Sequence, residues 1–348
     1  MIPHSRPSLD KKEVEAVAQV IESAHIAQGS VVKKFEQVLG RYIGCPYAAA
    51  VSSGTAALHL SLLALDIGSG DEVIIPSYVC TALLNAIHYV GAKPVVVDID
   101  ERTFNIHPES VASKISTRTR AIVVPHMFGC PADLEALSQF NLPIIEDCAQ
   151  AIGAQYREHP VGSWGTLAIF SFYATKMITT GEGGMVLSHS KELINRIKCL
   201  REYDNKNNFS LKFNYKMTDM QAAMGRVQLQ KLPDFIQKRR LLALKYYQAF
   251  KDINVKLPAE LQNGNHIFYR YVVRIQADLD NIINLCETKH FQCRRPVFKP
   301  LHHYLKQKDC PVTDLVYREA LSIPIYPSLT QDQQDYIIEN LSQILRQL

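Results

Sequence analysis

The chain has 348 residues, a net charge of +4, 47% hydrophobic residues and 21% charged residues. This length is about twice that of a usual domain and predicts two domains. The charge is too small and the like-charged runs are too short for a nucleic-acid-binding protein, and no apolar run approaches the roughly 20 residues that span a bilayer.

The cysteines indicate the compartment in which the protein works. The 8 cysteines are scattered and no C-x-x-C pair occurs, so we expect neither a metal site nor a redox motif. The N-terminal stretch MIPHSRPSLDKKEVE has no apolar core flanked by basic residues, which argues against a secretory signal. Together these features predict reduced thiols and a cytoplasmic location.

From residue 50 to residue 190, short apolar runs alternate with helical patterns. Most of these runs are rich in Val and Ile and do not alternate with polar residues, as expected for strands that are covered on both faces. The helical patterns between them span Thr55–Leu65, Thr81–Tyr89 and Pro131–Gln139. The repetition predicts a mostly parallel α/β sheet. Its predicted strands are VIIPS (73–77), PVVVDID (94–100), AIVVPHMFG (121–129), PIIEDCA (143–149), LAIFSF (167–172) and GGMVLS (183–188).

From residue 191 the pattern changes and predicts further helices. KELINRIKCLREY is helical, and MTDMQAAMGRVQLQKL begins with a capping box in which Thr218 is the N-cap and Gln221 lies three residues on. A basic helix over 235–252 leads into a second domain. The predicted elements of that domain are a strand at YRYVVRI (269–275), a helix over 278–289, a short strand over 320–324 and an amphipathic helix from 331. We place the boundary near residue 240, which divides the chain into 1–240 and 241–348.

Polar residues follow several of the predicted strands, where ligands gather in parallel α/β sheets. The segment Ser52-Ser53-Gly54-Thr55 precedes a helix whose free N–H groups could hold a phosphate, or it is a plain N-cap with a glycine turn. Asp147 ends a buried strand, where a carboxylate needs a cation or serves as a core-edge hydrogen-bond acceptor.

Lys176 follows the strand LAIFSF and precedes a Gly-Glu-Gly-Gly turn. Most lysines are simply solvated. A lysine that is desolvated in a pocket has a lowered pKa and can form a Schiff base. A phosphate cradle, an acid for a ring cation and an imine-forming amine are together what pyridoxal phosphate needs, and Gly54, Asp147 and Lys176 supply candidates for all three.

The sequence resembles the sugar aminotransferases of the DegT/DnrJ/EryC1/StrS family over nearly its whole length. The combination of EDCAQA (146–151) with SFYATK-x-x-TTGEGG (171–184) is specific to that family. The other matching stretches are SSGTAALHLSLLAL (52–65), GDEVIIPSYVCTALLNAIHYVGAKPVVVDID (70–100), MFGCPADL (127–134) and NYKMTDMQAAMGRVQL (214–229).

This resemblance implies the α/β fold of type I pyridoxal-phosphate-dependent transferases. The expected large domain has a mostly parallel seven-stranded sheet between helices, and the expected C-terminal domain is a smaller α+β unit. The implied partners are a second copy of the chain, an amino-acid donor such as glutamate, and a nucleotide-linked keto sugar. The resemblance implies an obligate homodimer with shared active sites.

The resemblance also implies residue roles. Lys176 would form the internal aldimine and move the proton, and Asp147 would pair with the pyridinium nitrogen. Gln150 would lie against the cofactor, near its ring or its 3′-oxygen. The residues expected to hold the phosphate are Gly54, Thr55 and Ser171, with Asn214 reaching the phosphate in the neighbouring subunit.

Two positions depart from the family pattern. Cys80 stands where an aromatic residue usually stacks on the cofactor, so either a smaller group packs there or Tyr78 compensates. Lys212 stands where a glycine commonly precedes Asn214 by two residues, which affects the expected loop geometry.

The histidines near the predicted pocket offer further candidates. His126 is a candidate acid–base group. The segment KPLHHYL resembles the family's substrate-side loop and makes His302, His303 and Tyr304 candidate substrate contacts. Tyr326 is predicted to be structural.

Other functions on the same scaffold stay open from the sequence. Some family members carry histidine in place of the lysine and catalyse dehydration, and Lys176 argues against that variant. A non-catalytic sensor that binds the cofactor is the alternative of a different class. The sequence does not identify the sugar, the nucleotide, the amino donor or the ring carbon that receives the amine.

Overall fold

The computed structural model describes residues 1–204, 209–259 and 263–347. The helices are α1 (Lys11–Glu22), α2 (Ser30–Ile43), α3 (Gly54–Ala64), α4 (Ala82–Tyr89), α5 (Pro108–Ala112), α6 (Leu134–Ser138), α7 (Lys191–Leu200), α8 (Asp219–Phe250), α9 (Leu279–Thr288), α10 (Leu301–Tyr304), α11 (Pro311–Glu319) and α12 (Gln331–Arg346). The strands are β1 (Tyr47–Val51), β2 (Glu72–Pro76), β3 (Lys93–Val97), β4 (Thr119–Pro125), β5 (Ile144–Asp147), β6 (Gln155–Tyr156), β7 (His159–Pro160), β8 (Leu167–Ser171), β9 (Gly184–Ser188), β10 (Gly264–Asn265), β11 (Tyr271–Arg274) and β12 (Ala320–Ile323).

A seven-stranded sheet in the order β1-β9-β8-β5-β4-β2-β3 forms the centre of the molecule. Strands β3, β2, β4, β5 and β8 pair in parallel, whereas β9 is antiparallel to both β8 and β1. Buried apolar clusters lie on both faces of this sheet, with α2 and part of α8 on one face and α3 and α4 on the other. The predicted α/β class with a mostly parallel sheet is confirmed.

Several predicted boundaries were wrong. The strand β1, with the sequence YAAAV, was not predicted, because alanine-rich segments carry little strand propensity. The predicted strand 94–100 ends at Val97, and the strand predicted over 121–129 ends at Pro125, where a short 3-10 turn begins. The helix predicted over 131–139 spans only Leu134–Ser138.

The two helices predicted over 217–232 and 235–252 are one continuous helix, α8. The capping box of Thr218 and Gln221 forms as expected, and Pro233 lies inside the helix. A proline usually ends or bends a helix, but in α8 burial of both halves outweighs the lost hydrogen bond.

The apolar residues of α8 divide between two cores. Leu232 and Ile236 pack into a cluster under the central sheet, whereas Leu242, Tyr246 and Phe250 pack into a cluster with β11, β12, α9 and α12. The N-terminal segment joins the second group, because Ile2 pairs with Phe291. The division of the chain at residue 240 stays a prediction. Within the described part of the chain, no helix is both long and apolar enough to cross a membrane.

Candidate active site

The carboxyl ends of β1, β5 and β8, which run in the same direction in the sheet, bring the predicted polar residues together. In the sheet, Asp147 of β5 is paired with Pro125 of β4 on one side and with Ile169 of β8 on the other. Ser171 ends β8 two residues later and is paired with Gly184 of β9, which is also paired with Val51 at the end of β1. The segments that follow β1, β5 and β8 therefore open on one edge of the sheet.

Asp147 is a buried carboxylate that has no cationic side chain in hydrogen-bonding contact among the described residues. Its Oδ1 accepts a hydrogen bond of 3.0 Å from the N–H of Ala149. Burial raises the pKa of the Asp147 carboxyl, while the Ala149 N–H and the charge of Lys176 oppose that rise. A cationic N–H donor at this carboxylate would relieve the cost of burying it.

Glu146, the neighbour of Asp147, points to the other side of the strand and holds a loop. Its carboxylate accepts the backbone N–H groups of Gly162, Trp164 and Gly165 at 2.7, 2.8 and 2.6 Å. Its fourth partner is Nε2 of His126 at 3.1 Å. The Nδ1 atom of His126 accepts the N–H of Ala132, so both ring nitrogens are engaged. His126 is completely buried, and these contacts give it a structural role rather than a catalytic one.

Replacing Glu146 by alanine is expected to lower the free energy of unfolding of the apoprotein by about 3–5 kcal/mol, because three N–H groups and His126 lose a buried charged partner. Urea unfolding of the apoprotein measures this cost. Glu135→Ala is the control, because the ion pair of Glu135 with Arg157 is solvated and is worth under about 1 kcal/mol. Equal costs for the two variants would contradict the role assigned to Glu146.

The segment predicted to hold an anion lies at the N-terminus of α3. The Ser53 side chain caps the helix by accepting the N–H of Ala56, and the next residues, Gly54 and Thr55, are half-buried at the start of the helix. A Cβ on Gly54 would lie 2.8 Å from Cβ of Ser171, so the missing side chain lets the two segments meet. A Cβ on Gly184 would fall on the Ser53 carbonyl, which explains the last glycine of the Gly-Glu-Gly-Gly turn.

The variant Gly54→Ala is expected to displace Ser171 and to weaken cofactor binding about tenfold, the equivalent of roughly 1.4 kcal/mol. Fluorescence titration of the apoprotein with pyridoxal phosphate measures the dissociation constant. Gly68→Ala serves as the matched control, since the nearest atom to its Cβ would be the Val90 carbonyl oxygen at 3.8 Å. An unchanged constant for Gly54→Ala would remove Gly54 and Ser171 from the cradle.

Lys176 lies half-buried in a tight loop between β8 and β9. The loop is closed by hydrogen bonds from the N–H of Thr180 and the hydroxyl of Thr179 to the Phe172 carbonyl. Helix α8 supports it from outside, because Gln228 accepts the N–H of Thr179 and Gln221 donates to the Glu182 carbonyl. The threonines and glycines around Lys176 thus fix the position of the lysine backbone.

Two residues at the pocket, Tyr269 and Arg270, were missed from the sequence. The Nζ atom of Lys176 lies 5.4 Å from the ring centroid of Tyr269. Burial opposes ionisation of Tyr269, but Lys176, Arg270, a hydrogen bond with Thr175 and Arg239 together lower the pKa of this phenol to about 8. The sequence predicted residue 269 inside a strand, whereas β11 begins at Tyr271. No signal in the sequence places this turn beside Lys176.

Gln150 and Cys80 are two further predicted cofactor contacts. The side-chain oxygen of Gln150 accepts the N–H of Phe128 at 3.0 Å, so Gln150 is fixed by the segment after β4. Cys80 is exposed, and desolvation by the groups around it raises the pKa of its thiol; the charge of Lys176 lowers this pKa, whereas that of Asp147 raises it. Tyr78 is completely buried and packs on Phe104. Tyr78 therefore does not take the place of the aromatic residue expected at Cys80.

The remaining predicted residues lie in two other places. Asn214 is exposed, next to Tyr215, whose carbonyl accepts the N–H of Ser52 at the start of the cradle. His302 is buried and bonds to Ser77 at 2.6 Å. The nearest described partner of His303 is Asp314 at 2.7 Å, and Tyr304 is 42% exposed. No described hydrogen bond of either histidine involves Lys176, and their substrate role stays a prediction.

The donor set fits pyridoxal phosphate. The buried Asp147 carboxylate lacks the cationic N–H partner that a protonated pyridine supplies. The start of α3 offers N–H groups to a phosphate dianion, and Lys176 offers an amine in the segment that follows β8. Asp147, Gly54, Thr55, Ser171 and Lys176 would hold the group.

Comparisons with known proteins agree with this fit. The sequence model of the DegT/DnrJ/EryC1/StrS aminotransferase family matches residues 7–342 of this chain. The GDP-perosamine synthase of Escherichia coli O157:H7 is 35% identical over 98% of both chains. The crystal structure of the aminotransferase TlmJ from Streptoalloteichus hindustanus superposes with a TM-score of 0.95 at 30% identity, over 100% of this chain and 99% of that one. The PLP-form of Spr1654 from Streptococcus pneumoniae superposes with a TM-score of 0.94 at 26% identity, over 99% of both chains.

Proposed function

The chain belongs to the DegT/DnrJ/EryC1/StrS aminotransferase family, and we propose that it transfers an amino group from an amino acid, first of all glutamate, to a keto group of a nucleotide-linked sugar. The enzyme depends on pyridoxal phosphate. The observation that carries the proposal is the convergence of Lys176, Asp147 and the start of α3 on one edge of the sheet. The name of the Escherichia coli relative makes GDP the first nucleotide to test.

Each residue has a separate task in the proposed reaction. Bound pyridoxal phosphate supplies a carbonyl that takes up the amine and a ring that withdraws electrons from the reacting carbon. The Asp147 carboxylate stabilises positive charge on a ring nitrogen because burial makes its electrostatic interactions strong. The Lys176 amine takes a proton from the amino donor's α-carbon and returns one during the second half of the cycle. The start of α3 and Ser171 hold the phosphate and thereby the orientation of the ring.

The assembly that we propose is a homodimer in which Asn214 reaches the site of the neighbouring subunit. Its exposure beside the cradle supports this role, because an exposed amide at a pocket rim is free to contact a second chain. His302, His303 and Tyr304 remain proposed contacts on the sugar side. The cytoplasm is the proposed location, supported by eight free thiols.

Absorption spectroscopy in two stages tests the proposed function. Purified protein loaded with pyridoxal phosphate is first treated with glutamate, and loss of the visible cofactor band reports uptake of the amine. The treated enzyme, freed of glutamate, is then mixed with a GDP-linked 4-keto sugar, and mass spectrometry identifies the product. Return of the visible band together with an amino-sugar nucleotide is the expected result. A band that no amino acid alters would contradict aminotransfer, and a deoxygenated sugar product would favour dehydration.

Of the two alternatives that the sequence left open, one is now excluded and the other is tested by product analysis. The chain is an aminotransferase of this family, so a non-catalytic sensor is no longer a candidate. The family members that catalyse dehydration carry histidine in place of this lysine, and the present chain has Lys176. The product analysis above separates the two enzymatic outcomes.

A further inference from the structure

Arg270 is a cation on the Tyr269 ring, which Lys176 also contacts, and it has no carboxylate partner among the described residues. Its guanidinium carbon lies 5.4 Å from the centroid of the Tyr269 ring, the same distance as Nζ of Lys176. The two cations are therefore separated by no more than twice that distance. Of the guanidinium nitrogens of Arg270, only Nη1 has a hydrogen-bond partner among the described residues, the ring of His4 at 3.2 Å. Its Nε and Nη2 atoms remain available for a two-pronged bond to an anion.

The charged groups that act on His4 beside Arg270 are further arginines and include no carboxylate. Burial lowers the pKa of His4 far below its ordinary value, and the charges of Arg270, Arg294 and Arg239 lower it further. His4 is therefore neutral at physiological pH, and Arg270 is the only charged member of this pair. Arg239 is buried and donates to the carbonyl oxygens of Phe268, Tyr269 and Ile325, which fixes the segment that carries Arg270. A fixed guanidinium on an aromatic ring is well suited to a planar carboxylate.

We propose that Arg270 binds a carboxylate of the amino donor, with the Tyr269 ring as its platform beside Lys176. This inference rests on the proposed aminotransfer. The donor must bring its amine to Lys176, and its carboxylates are only a few bonds from that amine. The phosphates of a nucleotide-linked sugar are separated from the reacting keto carbon by the sugar ring. An arginine that shares the Tyr269 ring with Lys176 is thus better placed for the donor than for the nucleotide.

The test compares Arg270→Gln and Arg270→Lys with Arg294→Gln in the cofactor-loaded enzyme. Arg294 is the matched control because its charge acts on the same His4, while its described side-chain partner is only Gln292. Three ligands are titrated: glutamate by the cofactor's visible band, and glutarate and GDP by calorimetry. Glutarate carries the carboxylates without the amine, so its binding does not depend on turnover.

Arg270→Gln is expected to weaken glutamate and glutarate about ten- to a hundredfold, as for other hydrogen bonds between charged groups, and to leave GDP unchanged. Arg270→Lys keeps the charge and loses the planar fork, so an intermediate loss is expected. Arg294→Gln should match the wild type. Cofactor uptake and the thermal midpoint establish that each variant is folded. If Arg270→Gln does not fold, glutarate binding by Arg270→Lys tests the inference.

Three results would overturn the inference. These are unchanged glutarate binding in the Arg270 variants, an equal loss in Arg294→Gln, and a loss confined to GDP, which would assign Arg270 to the nucleotide phosphates. If no amino acid alters the visible band of the wild type, the proposed function fails. The glutarate titration still decides whether Arg270 holds a carboxylate.

Discussion

Lys176→Ala is expected to reduce aminotransfer by about four orders of magnitude, because no other described side chain offers an amine at the edge of the sheet next to Asp147. Lys176→Arg is expected to be nearly as inactive, since a guanidinium neither gives up its proton near neutral pH nor bonds to a carbonyl carbon. Both variants should still bind pyridoxal phosphate non-covalently, because the cradle at α3 and the Asp147 carboxylate are unchanged.

Single-turnover absorbance after mixing with glutamate measures the loss in Lys176→Ala directly. Lys191→Ala is the control, because Lys191 is an exposed residue at the start of α7. A small alkylamine added to Lys176→Ala is expected to restore part of the rate if the missing function is proton transfer. Full turnover by either Lys176 variant would refute the assignment of the lysine.

Asp147→Asn is expected to slow aminotransfer roughly a hundred- to five-thousandfold, the equivalent of the roughly 3–5 kcal/mol lost when one partner of a buried ion pair is removed. An amide cannot stabilise positive charge on the ring nitrogen as a carboxylate does. Affinity for the cofactor should fall as well, because the ring loses its charged partner. A variant with wild-type turnover would remove Asp147 from the reaction.

The same substitution should stabilise the apoprotein. Burial raises the folded-state pKa of Asp147 above its ordinary value of 3.8. A carboxyl whose pKa is higher in the folded state favours folding at pH values below its unfolded-state pKa. This contribution is lost as the pH rises through the folded-state pKa. At neutral pH the buried, unpaired carboxylate therefore weakens the apoprotein, and Asp147→Asn should raise its thermal midpoint. The gap between variant and wild type should close as the pH falls toward the ordinary pKa. A constant gap at all pH values would indicate an effect unrelated to ionisation.

The strands of the parallel part of the sheet could be predicted because their burial on both faces leaves runs of Val and Ile in the sequence. The capping box of α8 and the glycines at 183 and 184 are equally local signals. Strand β1 escaped prediction because Tyr47–Val51 is rich in alanine, and its place in the sheet depends on pairing with β9. The continuity of α8 through Pro233 was also missed, since two separate cores, rather than local propensity, hold its halves.

The candidate site also contains residues that the sequence predicted and residues that only the packing revealed. Gly54, Asp147, Ser171 and Lys176 each follow a strand or precede a helix, so a parallel sheet brings them to one edge. Tyr269 and Arg270 come from a segment about ninety residues beyond Lys176, and nothing in their own sequence marks them as pocket residues. The inward burial of Tyr78 and the contacts of His126 with Glu146 depended equally on packing.

By itself the sequence determined the α/β class, the succession of the main strands along the chain and the identity of the residues that follow them, because hydrophobic periodicity, capping and glycine turns act over a few residues. The tertiary structure alone decided which distant segments meet. It placed Tyr269 over Lys176, turned Tyr78 into the core and joined the N-terminal segment to the region of β12. Such contacts follow from the close packing of whole elements, in which a side chain's neighbours are set by the shapes of surfaces far away in the sequence.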